Sequence, residues 1–234
     1  MNETLWELWL PLRISLSVAC AATLLVTGIG TLCAWWLAGK RSVAATVTDY
    51  LLSVPLFLPP TVLGYGLILF LGNSGTGGSV WFALTGTSFL FSRGAAVTAA
   101  ALAGLPLYYR TAKSFFESIE LHLFEAAAVD GAGRWTLLTA IILPISIPGL
   151  SAGFILAILR AMGEFGITIM IAGNIPGKTQ TVSLAIWDAV MSGRDGDATL
   201  LALLLAFISL VLLSLFAVFI RRIKPSQSPA SIFS

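Results

Sequence analysis

Polar residues punctuate this chain rather than alternate with apolar ones. Four intervals contain no Asp, Glu, Lys or Arg: Ile14 to Gly39, Tyr50 to Ser92, Trp135 to Leu159, and Ala198 to Ile220. A bilayer-spanning helix needs roughly 20 mostly apolar residues, so each interval is long enough, and the second leaves room for a loop. The pattern predicts five membrane helices. The first covers Leu12 to Ala38 and stops at Gly39-Lys40-Arg41; the second runs from about Tyr50 to Leu71 and ends in the glycine-rich stretch Gly72 to Gly78, which reads as loop. A third starts near Arg93 and continues to Phe116. Pro144, Pro148 and Gly149 punctuate the fourth; because proline suits the first helical turn, that helix is expected from Ile147 to about Ala172. The fifth covers Thr199 to Ile220, closed by Arg221-Arg222-Ile223-Lys224.

Composition agrees with an all-α membrane protein and removes other classes. Only 10% of the 234 residues are charged, against 57% hydrophobic, whereas soluble domains run about 25% charged. The net charge of +2 is small and its basic residues are scattered, which argues against nucleic acid as a partner. Charge placement supplies an orientation. With the N-terminus outside, the cytoplasm receives Lys40, Arg41, Arg110, Lys113, Arg134, Arg221, Arg222 and Lys224, while Arg13, Arg93, Lys178 and Arg194 stay outside. The positive-inside rule therefore favours N-out, C-in. A six-helix alternative, with residues 179–191 as another span, would strand the basic C-terminal cluster outside. Cys20 and Cys33 lie about 20 Å apart on one helix, beyond disulfide reach, and are expected as buried thiols. Glu3 and Glu7 replace the basic start of a signal peptide, so the first helix is read as uncleaved.

The polar segment from Lys113 to Arg134 is expected in the cytoplasm. Within it, Leu121, Phe124 and Ala128 share one face of a short amphipathic helix. Ala126 and Ala127 would let a partner surface approach closely, Gly131 permits a turn, and Glu125 offers a charge to a partner. Glu125-Ala126-Ala127, then Gly131, then nine residues to Ile141-Ile142-Leu143-Pro144, resembles the E-A-A loop of permease subunits in binding-protein-dependent ABC importers. Asp130 departs from that pattern, where a neutral residue is commoner. The segments Val54-Pro55-Leu56-Phe57-Leu58-Pro59-Pro60-Thr61-Val62-Leu63-Gly64-Tyr65, Gly163-Glu164-Phe165-Gly166 and Gly173-Asn174-Ile175-Pro176-Gly177-Lys178-Thr179-Gln180-Thr181 are similar to the molybdate branch of that family, with sulfate and tungstate permeases as near relatives.

The resemblance implies a type I importer permease domain over residues 10–222, a coupling loop at 117–144 and a short unstructured cytoplasmic tail at 223–234. It also implies two copies of this chain docked on two ATP-binding subunits and fed by an extracytoplasmic oxyanion-binding protein. Such a chain is a multi-pass subunit of a prokaryotic cytoplasmic membrane, surrounded by lipid, and no enzyme. ATP and Mg would bind the partner subunit, with no cofactor here. Coupling falls to Glu125, Ala126, Ala127, Gly131, Leu143 and Pro144. A self-contained secondary carrier is the rival from another class, but such carriers often contain internal repeats and the two halves show no duplication.

Candidate chemistry in the spans is sparse. Arg160 and Glu164 are opposite charges at i, i+4 spacing deep in the expected fourth helix, where charge is costly and usually faces a bundle interior or wet cavity. They read either as part of an oxyanion pathway or as a structural ion pair. Pro59 and Pro60 should kink the second helix, and Gly64 follows on the same helix as a further pathway candidate. Gly28, Gly30, Gly149 and Gly153 allow close helix contacts. Pro176-Gly177-Lys178-Thr179 imitates the end of a phosphate-binding loop, but the first glycine of that pattern would fall on Ala172, so it is rejected. His122 among nearby acids reads as surface chemistry, not a metal site.

Overall fold

A computed structural model describes residues 2–119, 133 and 136–223, and every regular element within them is helical. The coupling residues Glu125, Ala126, Ala127 and Gly131, together with His122, Asp130 and the tail from 224 onward, lie outside the described residues. Helix α1 spans Asn2–Leu37, ten residues earlier than the sequence suggests, and continues through Pro11. The second expected span is two helices. α2 (Val43–Ser53) passes into a 3-10 turn at Val54–Leu56, and α3 (Pro60–Leu71) leaves at 112° to it. The break falls where the prolines predict a kink and is sharper than a kink. Pro59 adopts φ −56°, ψ 138°, because the residue before a proline is pushed out of the helical region, and Pro60 then starts the next helix.

The glycine-rich stretch read as a loop is partly helical, forming α4 (Thr76–Thr85). Glycine is normally a poor helix former, but α4 folds back on the end of α3. The Gly72 carbonyl occupies the place a Cβ on Gly78 would take. α5 (Arg93–Glu117) matches expectation at its start, where the Ser92 hydroxyl accepts from the Ala95 N–H at 3.2 Å.

The fourth span departs most. A π turn at Leu137–Ile142 leads into α6 (Leu143–Met162), which starts four residues before Ile147 and ends ten before Ala172. Pro144 sits in its first turn and Pro148 withholds only a bond to the carbonyl of 144, so neither stops the helix. The chain then breaks at 163–165, forms the short α7 (Gly166–Ile171), loops, and continues as α8 (Val182–Met191) and α9 (Asp195–Ile223). α8, which covers the segment of the six-helix alternative, has 10 residues, about 15 Å. Three described helices are individually long and apolar enough to cross a bilayer, at Leu8–Leu37, Thr139–Met162 and Asp195–Ile220, with the bent α2–α3 pair as a fourth. α5 has the length but carries Arg93, Arg110, Lys113 and Glu117.

α5 nevertheless occupies the centre. Ala95, Ala96, Ala99 and Ala100 are buried in one cluster with Ile14, Val18 and Ala22 of α1 and Ile158, Ala161 and Met162 of α6. Lipid supplies no hydrophobic drive between helices, so small residues that permit close approach are what hold such a bundle. Tyr108 keys the three helices together. It is fully buried, its hydroxyl shares a 2.6 Å hydrogen bond with Thr31 of α1, and its ring lies against Gly30 of α1 and Gly153 of α6. A Cβ on Gly30 would sit 2.6 Å from the ring, whereas one on Gly28 meets nothing within 4 Å. Gly30→Leu should therefore lower stability in detergent by about 1–3 kcal/mol, with Gly28→Leu near wild type as the control. Equal thermal midpoints for the two variants would show that Tyr108 is not wedged. Cys33 is half-buried, but Cys20 is exposed, on the outward side of α1 beside Leu24 and Leu25 rather than in the core.

Candidate functional site

Two helix breaks meet. α3 begins at Pro60 after the first break, α7 begins at Gly166 after the second, and the two short helices pack on one another. A Cβ on Gly166 would fall 2.6 Å from Pro60 Cβ, and one on Gly64 would fall 2.7 Å from Met170 Sδ. The glycines thus bring the breaks to backbone distance. Helix breaks at membrane depth free carbonyls and amides that must face protein or a water-filled cavity, and such paired breaks are where transport proteins place their pathways.

The second break is made by Glu164. α6 ends at Met162 with Gly163 closing it, and the Glu164 side chain, 2% exposed, turns inward. One carboxylate oxygen accepts from Arg160 Nη1 at 2.8 Å and the other from the Ile167 N–H at 2.8 Å. The carboxylate thus supplies an acceptor for one free N–H at the start of α7 while holding the last turn of α6 through Arg160. Arg160, on the last turn of α6, is 36% exposed. The pair is asymmetric: its anion is enclosed by protein and its cation is the accessible member.

The chain after α7 closes on itself. Gly173 and Gly177 adopt φ of +68° and +74°, the left-handed conformation that glycine takes without strain. Thr179 Oγ1 donates to the Gly173 carbonyl at 3.0 Å and accepts from the Ile175 N–H at 3.2 Å. Arg93 Nε and Nη2 donate to the carbonyls of Lys178 and Gly177 at 3.2 and 3.3 Å. The Pro-Gly-Lys-Thr sequence is therefore a compact turn built around its own threonine. Phe91, with φ +60°, donates its N–H to the Ile171 carbonyl at 2.8 Å, which fastens the α4–α5 connection to the end of α7. Ser15 of α1 accepts the Val182 N–H at 2.7 Å where α8 starts. Buried polar side chains gather in this stretch, at Glu164, Thr168, Thr179, Gln180 and Thr181.

Of the residues singled out from sequence, Pro59, Pro60, Gly64, Arg160 and Glu164 fall in one neighbourhood. Arg160 and Glu164 form the expected pair, but across a helix end rather than along one continuous face. Leu143 and Pro144 are exposed at the start of α6. Gly166, Met170 and the buried threonines were not singled out as site residues. Gly166 carried a signal, as the last member of the Gly163-Glu164-Phe165-Gly166 motif.

A further polar cluster lies where α8 meets α9. Asn174 Nδ2 donates to Asp188 at 3.2 Å, and Arg194 pairs with Asp188 at 2.9 Å and Asp197 at 3.5 Å. It borders a cavity of about 230 Å³ lined by Leu8, Pro11, Pro176 and Gln180. Among the described residues, no group of three or more His, Cys, Asp or Glu is placed to hold a metal ion.

The overall fold is found in proteins of known structure. The chain superposes on a chain of a bacterial ABC transporter that imports the polysaccharide alginate with a TM-score of 0.76, at 19% identity, covering 94% of this chain and 80% of that one. It superposes on a chain of the inward-facing MetNI methionine ABC transporter with a TM-score of 0.73, at 16% identity, covering 96% and 100%. The fold is that of type I ABC importer permeases. In sequence it is 38% identical over 207 residues to the putative molybdenum transport system permease protein YvgM of Bacillus subtilis, covering 88% of this chain and 91% of that one. It is 36% identical to the molybdenum transport system permease protein ModB of Escherichia coli, covering 87% and 91%. Identity to the E. coli sulfate transport system permease protein CysT is 32%, covering 86% and 72%. Residues 27–226 match the model of one membrane transport family, and the chain belongs to it: the binding-protein-dependent transport system inner membrane components.

Proposed function

We propose that this chain is the permease subunit of an ATP-driven importer of molybdate or a similar tetrahedral oxyanion. The observation that carries the reading is the meeting of the α2–α3 and α6–α7 breaks beside an ion pair whose cation is the accessible member. A partly exposed guanidinium backed by a buried carboxylate attracts an oxyanion without holding it tightly, as a translocation step requires. The molybdenum permeases are closer in sequence than the sulfate permease, which favours molybdate among tetrahedral oxyanions; tungstate and sulfate are the alternatives.

In this reading two copies of the chain enclose the pathway at their interface. Pro59, Pro60, Gly64, Arg160 and Glu164 line or shape it. Two cytoplasmic ATP-binding subunits, which hold ATP and Mg, dock on Glu125, Ala126, Ala127, Gly131, Leu143 and Pro144, and an external binding protein delivers the anion. A related assembly supports that last partner: the bacterial alginate transporter was crystallised with its ligand-bound periplasmic protein. This chain supplies the pathway and the docking surface, and no bond-making chemistry.

The test is uptake by the complex reconstituted with its ATPase subunits and binding protein. Labelled molybdate should enter only with ATP, and unlabelled tungstate should compete better than sulfate. Entry without the ATPase subunits would establish the secondary-carrier reading instead. Glu125→Ala and Gly131→Val should lose stimulated ATPase or assembly while the membrane fold survives. Normal coupled uptake in both variants would remove the docking assignment.

A further inference from the structure

At the opposite end of α5 from Arg93, a polar cluster joins three chain segments. Asp49 of α2 accepts from the Tyr109 hydroxyl at 2.7 Å and pairs with Lys113 Nζ at 3.0 Å, both on α5. Lys113 is also 3.7 Å from Glu117, whose carboxylate accepts the Gly39 N–H at 3.4 Å. Gly39, with φ +71°, lies in the turn that joins α1 to α2. The Lys113 side chain is 18% exposed and Asp49 38%, so the pair is sheltered more than a surface pair, for which worth is small. Two of the groups, Lys113 and Glu117, lie in the last turn and a half of α5, immediately before the polar segment assigned to coupling.

Through Asp49, which lies in α2 ahead of the 57–59 break, the cluster is mechanically continuous with the helix breaks. α2 passes through the 3-10 turn directly into the break before Pro60, and the turn packs on α5. α3 then packs on α7 through Gly64 and Gly166. A displacement of the end of α5 that reached α2 would reach α3 as a change at the 57–59 break.

We propose that Asp49, Tyr109 and Lys113 form a positioning tie that makes α2 and the end of α5 move as one body, so that motion of the coupling segment is delivered to the α2–α3 break. This rests on the import reading above. Transport stoichiometry separates such a tie from one that only stabilises the fold. A stabilising contact, when weakened, lowers assembled complex, ATPase and uptake together, whereas a broken transmission leaves ATP hydrolysis running while uptake falls.

The experiment uses the complete complex in proteoliposomes, with molybdate as the transported probe. Asp49→Asn keeps an acceptor for Tyr109 and removes the ion pair. It should retain ATPase within about twofold while molybdate imported per ATP falls about tenfold, inside the roughly 5–150-fold range of intramolecular couplings. A second variant, Asp49→Cys with Lys113→Cys in a Cys20→Ala, Cys33→Ala background, should be uncoupled when reduced and regain import per ATP when joined by a short bifunctional thiol reagent. If Asp49→Asn fails to assemble, the joined double-cysteine complex decides alone. Unchanged import per ATP in Asp49→Asn, parallel loss of ATPase and uptake, or a joined complex that stays uncoupled would each overturn the tie. Wild-type complex that hydrolyses ATP without importing molybdate, tungstate or sulfate defeats the import reading and the tie together. Wild-type import with an unaltered Asp49→Asn ratio defeats the tie alone.

Discussion

Arg160→Leu is expected to destabilise the protein more than Glu164→Leu, and the double variant is expected to be more stable than Arg160→Leu alone. The order follows from which charge is enclosed. Without Arg160 the Glu164 carboxylate keeps its bond to the Ile167 N–H but stands uncompensated at 2% exposure, a situation that costs about 3–5 kcal/mol. Without Glu164 the guanidinium is already partly accessible and can find polar surroundings, so the main loss is one buried N–H bond, about 1–3 kcal/mol. Replacing both partners by apolar groups relieves the enclosed charge. Thermal unfolding in detergent measures the order. Uptake then separates the two roles of the pair: a double variant that folds but fails to import places Arg160 and Glu164 in the pathway, and one that imports normally leaves them a structural device.

Gly166→Leu should abolish uptake with a smaller effect on folding. An added Cβ would press on Pro60 Cβ at 2.6 Å, and a proline ring at the start of a helix cannot swing aside as a longer side chain does. Overpacking of this kind costs about 1–3 kcal/mol, and the strain would be relieved by parting α3 from α7, the two elements on either side of the candidate pathway. Gly64→Ala offers the comparison. Its added methyl meets Met170 Sδ at 2.7 Å, but a thioether has three rotatable bonds and adapts, so uptake should fall by less. Normal uptake by Gly166→Leu would mean that the contact between the breaks does not matter to transport.

How much of this was legible in the sequence depended on whether the determinant was local. α5 begins where Arg93 ends the apolar interval, as the sequence predicts, and the Ser92 cap that holds the helix start there lies one residue away. The break before Pro60 was legible for the same reason, since two consecutive prolines remove donors and restrict the residue before each. The end of α6 was not. From Ile147 to Ala172 the apolar pattern continues almost without interruption, and what stops the helix at Met162 is a glycine followed by a carboxylate that folds back to Arg160 and Ile167. Spacing revealed the pair, but not that making it would end the helix. α4 was hidden by its glycines, whose usual meaning is loop and whose meaning here is close approach to α3. Pro59, Pro60, Gly64, Arg160 and Glu164 were visible one by one; that they share a neighbourhood depends on Gly166 and Met170, which join two segments roughly a hundred residues apart.

The alanine-lined α5 has a consequence for how the protein enters the bilayer. Arg93 opens the helix and Arg110, Lys113 and Glu117 fall in its last eight residues, so the uncharged stretch between them, Gly94 to Tyr109, has 16 mostly small residues, short of the roughly 20 that a span needs. Its residence in the membrane therefore draws on the helices beside it, α1 already made and α6 not yet made when α5 leaves the ribosome. The segment that organises the finished bundle is thus poorly equipped to insert by itself, and its place in the membrane depends on the neighbours it organises.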